Sequence, residues 1–123
     1  MPTSQHYQIP KLLDVIIAVN PASLLDIGVG FGKYGFLARE YLELWDGRED
    51  YKNFTRRIDG IEVYKKYLTP VHGYIYDHIY IGNALEVVPK LKDRYDLIMI
   101  IDVLEHFEKE DGKALLKQLL RKG

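Results

Sequence analysis

Apolar residues return every three or four positions at Ile9, Leu12, Leu13, Ile16, Ile17 and Val19, the spacing of an amphipathic helix over Ile9–Val19. Pro10 suits a first turn, and Asn20-Pro21 ends the helix because proline disfavours helical backbone in the residue before it. Met1–Gln8, rich in small polar residues, reads as a loosely attached arm. Ala22–Ile27 is then a strand, and Lys33–Leu44 a helix with Phe36, Leu37, Tyr41 and Leu44 as its apolar face. Trp45–Arg57 is polar and carries Gly47, a surface connection. Arg57–Val63 is a second strand. Lys65–Leu68 can make one helical turn, and Thr69-Pro70 opens a helix to about Tyr76. His78–Ile81 is a third strand, and Gly82–Leu91 turns into a short helix with Leu85, Val88 and Leu91 on one side. Tyr95–Ile101 is apolar almost throughout, as a parallel strand covered on both faces requires. Glu108–Lys122 closes as a helix with Ala114, Leu115, Leu116, Leu119 and Leu120 on its inner face.

Strands that alternate with helices pair in parallel through right-handed crossovers. The 123 residues suffice for one small domain, residues 1–123, with no linker or repeat inside it. A net charge of -1 gives no bulk field for nucleic acid or an anionic membrane, so neither is expected as a partner. No apolar run approaches the roughly 20 residues of a membrane helix. The chain has no cysteine, which excludes disulfides and thiolate metal sites and fits a cytoplasmic protein. Several of its ten tyrosines fall in Tyr64–Tyr80, where packing and partial exposure explain them.

Candidate chemistry centres on Leu24–Gly35, LLDIGVGFGKYG, a strand that runs into a glycine-rich turn and a helix start. Such a turn presents backbone N–H groups and a positive helix end to a ligand. Gly30–Gly35 fits G-x-G-x-x-G, the nicotinamide or flavin fingerprint. Asp26 redirects that reading: it makes the pattern D-x-G-x-G-x-G through Gly28, Gly30 and Gly32. A carboxylate there repels a diphosphate and attracts an ammonium. Glu62, at the end of the second strand, opens into the same crevice and can accept both hydroxyls of a ribose, with Asp59 the fallback if the register shifts. Asn83 can accept from an adenine amino group, or cap the helix that follows, or both. Asp102, after the fourth strand, lies beside the glycine loop, where it can face an ammonium or an acceptor. His106 can serve as a general base, although packing or capping accounts for it more readily, and Glu105 can orient it or cap the helix that follows.

LLDIGVGFG, the acidic end of IDGIEV, GNALE and DVLEHF together resemble the class I S-adenosylmethionine-dependent methyltransferases, nearest to their small-molecule branch, from Leu24 to about Leu120. The resemblance implies a Rossmann-like three-layer α/β sandwich with a mainly parallel sheet. Four strands in the order 3-2-1-4 fit in this chain, with the C-terminal part of the usual fold missing. It implies S-adenosylmethionine as cofactor: methionine moiety at Asp26, Gly28, Gly30 and Gly32, ribose at Glu62, adenine at Asn83 and the Ala84 backbone, and Asp102 flanking cofactor and acceptor. Catalytic roles fall to His106 and Asp102, and the acceptor is a small molecule. Trp45–Arg57 makes the first connection longer than usual for the family. A sheet that stops at strand four leaves residues 95–101 as an open edge, so the chain is expected to be a fragment of a longer protein or to pair as a homodimer through that strand. A nicotinamide-dependent oxidoreductase and a non-catalytic cofactor-binding or interaction module are the alternatives. Glu62 is contrasted with Glu43, a carboxylate outside the loop.

Overall fold

The computed structural model describes residues 6–48, 50, 53–100, 113, 114, 116 and 117. After a 3-10 turn at His6–Gln8 the elements are α1 (Ile9–Val19), β1 (Ser23–Ile27), α2 (Lys33–Leu42), β2 (Arg57–Glu62), α3 (Pro70–Ile75), β3 (His78–Ile81), α4 (Ala84–Val87) and β4 (Leu97–Ile100). One further 3-10 turn extends α2 at Leu44–Asp46, a second follows β2 at Lys65–Tyr67, and a third continues α4 at Val88–Lys90. Residues 113, 114, 116 and 117 are helical, but Ala114 and Leu116 are exposed, not inward-facing as the apolar pattern implies.

The four strands form one parallel sheet in the order β3-β2-β1-β4, a Rossmann-like arrangement with helices on both faces. The registers Asp26↔Gly60 and Glu62↔Ile81 bring the C-terminal ends of β1, β2 and β3 together. Alternation along each strand divides the core. Leu24, Ile58 and Met99 pack under α1, α2 and α3 with Ile16, Ala38, Leu42 and Ile75. Leu25, Ile27 and Ile61 face the other way, against Ala84, Val88, Leu91 and Tyr95. Burying each large apolar side chain contributes roughly 1.5–3 kcal/mol.

Helix α2 is turned differently from the expected apolar face. Tyr34, Gly35, Ala38, Arg39 and Leu42 are buried, and Phe36 and Tyr41 face outward. Both stripes are apolar enough to serve, but the small residues Gly35 and Ala38 let the helix approach the sheet closely. Arg39 tolerates burial because its guanidinium is satisfied. It donates to the carbonyls of Ile75 (2.8 Å) and Arg56 (2.8 Å) and pairs with Asp77 (3.1 Å).

The polar connection after α2 is pinned at its base. Glu43, fully buried, accepts the Thr55 N–H (2.8 Å) and pairs with Arg56 (2.7 Å). Arg56 also donates to the Pro21 carbonyl (3.0 Å) and the Asn20 side chain (2.6 Å), which ties the end of α1 to the ends of the connection. Glu43 is therefore a structural ion-pair partner, not the neutral comparison position its sequence context implies.

Candidate functional site: the glycine loop between β1 and α2

Three glycines in this loop take left-handed backbone: Gly28 (φ 80°), Gly30 (φ 55°) and Gly32 (φ 93°). A side chain is strained in that region, so the loop's path requires glycine. The turn is stitched to β2 and to itself: Gly28 N–H donates to the Ile61 carbonyl (2.8 Å), and Gly32 N–H to the Val29 carbonyl (2.8 Å). Gly32 is the N-cap of α2.

Both peptide groups of Gly30 are held from other elements. Its N–H donates to Glu62 Oε1 (2.8 Å), and Glu62 Oε2 accepts the Tyr64 N–H (3.0 Å). Its carbonyl lies 2.8 Å from His72 Nε2. His72 Nδ1 is 3.0 Å from the Thr69 N–H, which can only donate. Nδ1 therefore accepts, and Nε2 carries the proton and donates to Gly30. His72, at the third position of α3, thus stands where a capping box has Glu or Gln, and reaches the loop with its other nitrogen.

Asp26, only 4% exposed, accepts the Tyr76 hydroxyl at 2.6 Å. Burial pushes its carboxyl up to about 7; the Tyr76 bond offsets part of that, and the charge on Glu62 adds to it. A carboxyl this costly to ionise becomes a favourable neighbour for a cation. Asp26 and Glu62 together suit a ligand carrying an ammonium. The residues present therefore fit the methionine end of S-adenosylmethionine, and Glu62 retains acceptor capacity for ribose hydroxyls.

Asp59 does not share this site. Strand alternation turns it to the other layer, where Oδ2 accepts Arg57 Nε (2.7 Å) and the Tyr95 hydroxyl (2.6 Å). Its Oδ1 is buried with no hydrogen-bond partner among the described residues. The register thus excludes Asp59 as a substitute for Glu62. Asn83 caps α4, its side chain accepting the Leu85 N–H at 2.9 Å. It stands next to Gly82, whose N–H donates to the Glu62 carbonyl (2.9 Å), at the same end of the sheet. Ala84 is buried in the α4-side core. Asp102, Glu105 and His106 lie outside the described residues, as does residue 101 at the end of the expected open edge.

His72 and Tyr76 are the residues that sequence reasoning missed. Both lie in the segment opened by Thr69-Pro70, His72 in the first turn of α3 and Tyr76 at its C-cap, with rings stacked at 6.1 Å. Tyr76 also explains Gly35, and it adds to the Val29 side chain, 2.3 Å from a Cβ at Gly60, in explaining Gly60. A Cβ at Gly35 would sit 2.4 Å from the Tyr76 hydroxyl oxygen, and one at Gly60 would sit 3.3 Å from the Tyr76 ring. Gly35, which completes the nicotinamide-type fingerprint, makes room for a tyrosine.

An open groove of about 510 Å³ lies along β3, lined in part by Tyr80, Val87 and Lys90, and takes in none of the loop residues. Among the described residues, no group of three or more His, Asp or Glu is placed to hold a metal ion. None of the described helices is long and apolar enough to cross a membrane.

No protein-family model and no curated protein matches the chain. Among solved structures it is similar to SAM-bound CalS10, an amino pentose methyltransferase from Micromonospora echinaspora involved in calicheamicin biosynthesis, at a TM-score of 0.63 and 17% identity. The match covers 98% of this chain and 47% of CalS10, so the chain spans about half the length of that protein. The chain thus has the Rossmann-like α/β fold in the form a S-adenosylmethionine-binding methyltransferase also uses.

Proposed function

We propose that this chain carries the cofactor site of a S-adenosylmethionine-dependent methyltransferase acting on a small-molecule acceptor. The observation that carries the reading is the Glu62–Gly30 hydrogen bond, which joins the acidic end of β2 to the apex of a D-x-G-x-G-x-G loop. Asp26 receives the ammonium, the Gly28–Gly32 backbone the methionine moiety, Glu62 the ribose hydroxyls, and Asn83 with the Ala84 backbone the adenine. Bound S-adenosylmethionine supplies an electrophilic methyl group. The chain's own contribution is orientation of that group against a nucleophile, the main source of rate in such a transfer. Asp102 and His106 are assigned to the acceptor side, where either can take a proton. The lack of cysteine supports a cytoplasmic setting.

Thermal unfolding with S-adenosylmethionine, S-adenosylhomocysteine and NAD tests this. A ligand at about 100 times its dissociation constant adds roughly 2.7 kcal/mol of stability. The first two are expected to stabilise the protein. Stabilisation by NAD alone would overturn the reading, and indifference to all three would favour a non-catalytic module. Glu62→Gln keeps an acceptor for Gly30 but loses the charge. It should weaken S-adenosylhomocysteine binding roughly tenfold to a hundredfold, the worth of a hydrogen bond to a charged group. Glu40→Gln, on the exposed side of α2, should leave affinity unchanged.

A further inference from the structure

The Tyr76 hydroxyl is fixed with more care than a core tyrosine needs. The Arg39 guanidinium holds the Ile75 carbonyl, the peptide that leads into Tyr76. The His72 ring stacks on the Tyr76 ring and is itself fixed through both nitrogens. Gly35 and Gly60 leave the slot through which the phenol reaches β1. At the end of that slot is Asp26, at 2.6 Å.

Resting on the reading of the loop as a cofactor cradle, we propose that Tyr76 is a positioning residue for the cationic end of the ligand, its hydroxyl holding the Asp26 carboxylate for an ammonium group. Tyr76 keeps its proton throughout the neutral range, because burial and the adjacent Asp26 raise it well above the ordinary phenol value. It is therefore a constant donor. The titratable groups facing Asp26 are Tyr76 from the end of α3 and Glu62 from β2. His72 lies behind the Tyr76 ring on α3, Lys33 and Tyr34 open α2, and the register neighbours Gly60 and Met99 carry no charge. Glu62 disfavours ionisation of Asp26 and Tyr76 favours it. An ammonium that docks on Asp26 requires the ionised form, so a proton leaves the carboxyl for solvent as the ligand enters. Without the hydroxyl, that proton leaves only at higher pH.

The test is the pH dependence of S-adenosylhomocysteine binding by calorimetry, from pH 5 to 9, for the native chain, Tyr76→Phe and Asp26→Asn. In the native chain affinity should fall up to tenfold per pH unit below about 7. In Tyr76→Phe that break should move up by about one to two pH units, with affinities converging at high pH. Asp26→Asn should show no break. A Tyr76→Phe break at the native position, or one uniform loss at every pH, would mean that Tyr76 only packs, and would overturn the proposal. Direct carboxyl titration by NMR in the ligand-free protein is the second readout: the Asp26 midpoint must rise in Tyr76→Phe, and an unmoved midpoint overturns the proposal. If the native chain binds no S-adenosylhomocysteine at any pH, the cofactor reading fails, and the NMR result still decides whether Tyr76 governs Asp26.

Discussion

Asp26 costs the free protein stability in proportion to its readiness for a cation. Its carboxyl is raised from 3.8 to about 7 by folding. Between those values the folded chain holds a proton that the unfolded chain has lost, so stability from this group declines as pH rises through that window. The slope is at most about 1.4 kcal/mol per pH unit. Asp26→Asn should flatten the decline and give a higher Tm than the native chain at pH 8, while weakening ligand binding; a lower Tm at pH 8 would contradict this. At the same scale, Asp26, the three loop glycines and Glu62 are legible in the sequence because their chemistry is local and their spacing short. Tyr76 is not legible, because it lies 50 residues from Asp26 and only the folded crossover brings them together. His72 shows the same limit, since nothing in Thr69–His72 announces that its second nitrogen reaches Gly30.

At the level of elements, two helical glycines make opposite predictions. Gly73 in α3 has open space where a Cβ would be, so Gly73→Ala should stabilise the protein by roughly 0.5–1 kcal/mol through helix propensity. Gly35 in α2 has the same intrinsic preference, but a Cβ there meets the Tyr76 oxygen at 2.4 Å and Ile75 Cγ2 at 2.8 Å. Overpacking costs typically 1–3 kcal/mol, so the steric term wins and Gly35→Ala should lower stability. Chemical denaturation of the two variants checks both signs. The contrast also explains why α2 was legible as a helix but not in its facing. Periodicity offered Phe36, Leu37, Tyr41 and Leu44, whereas the buried side was chosen by clearance for Tyr76 and by partners for Arg39. Strands fared better: β3 spans His78–Ile81 as its composition implies, and β4 falls inside the expected Tyr95–Ile101. Tyr95 itself leaves that strand to meet Asp59.

Across the whole molecule, the parallel pairing of the sheet follows from alternation and crossover handedness, whereas its strand order could be anticipated only through the family resemblance. The ion pairs that brace it could not be, since charged residues in a polar connection look alike. Glu43 is the clearest case. It is buried, and Arg56 depends on it while also holding Asn20 and Pro21. Glu43→Ala should therefore cost about 3–5 kcal/mol, the usual result of removing one partner of a buried pair. An unchanged denaturation midpoint would refute that role. The same bracing separates the length of the connection from the geometry of the site. Because Glu43 grips Thr55 and Arg56, the path into β2 and on to Glu62 is set at the base, whatever lies between. Gly47 lies in that span with open space around it, and doubling a loop's length costs only about 0.6 kcal/mol. The turn at Gly47 is thus a graft point: a reporter peptide inserted there would ride on the protein without disturbing the cradle, which turns the connection into a handle for watching ligand binding.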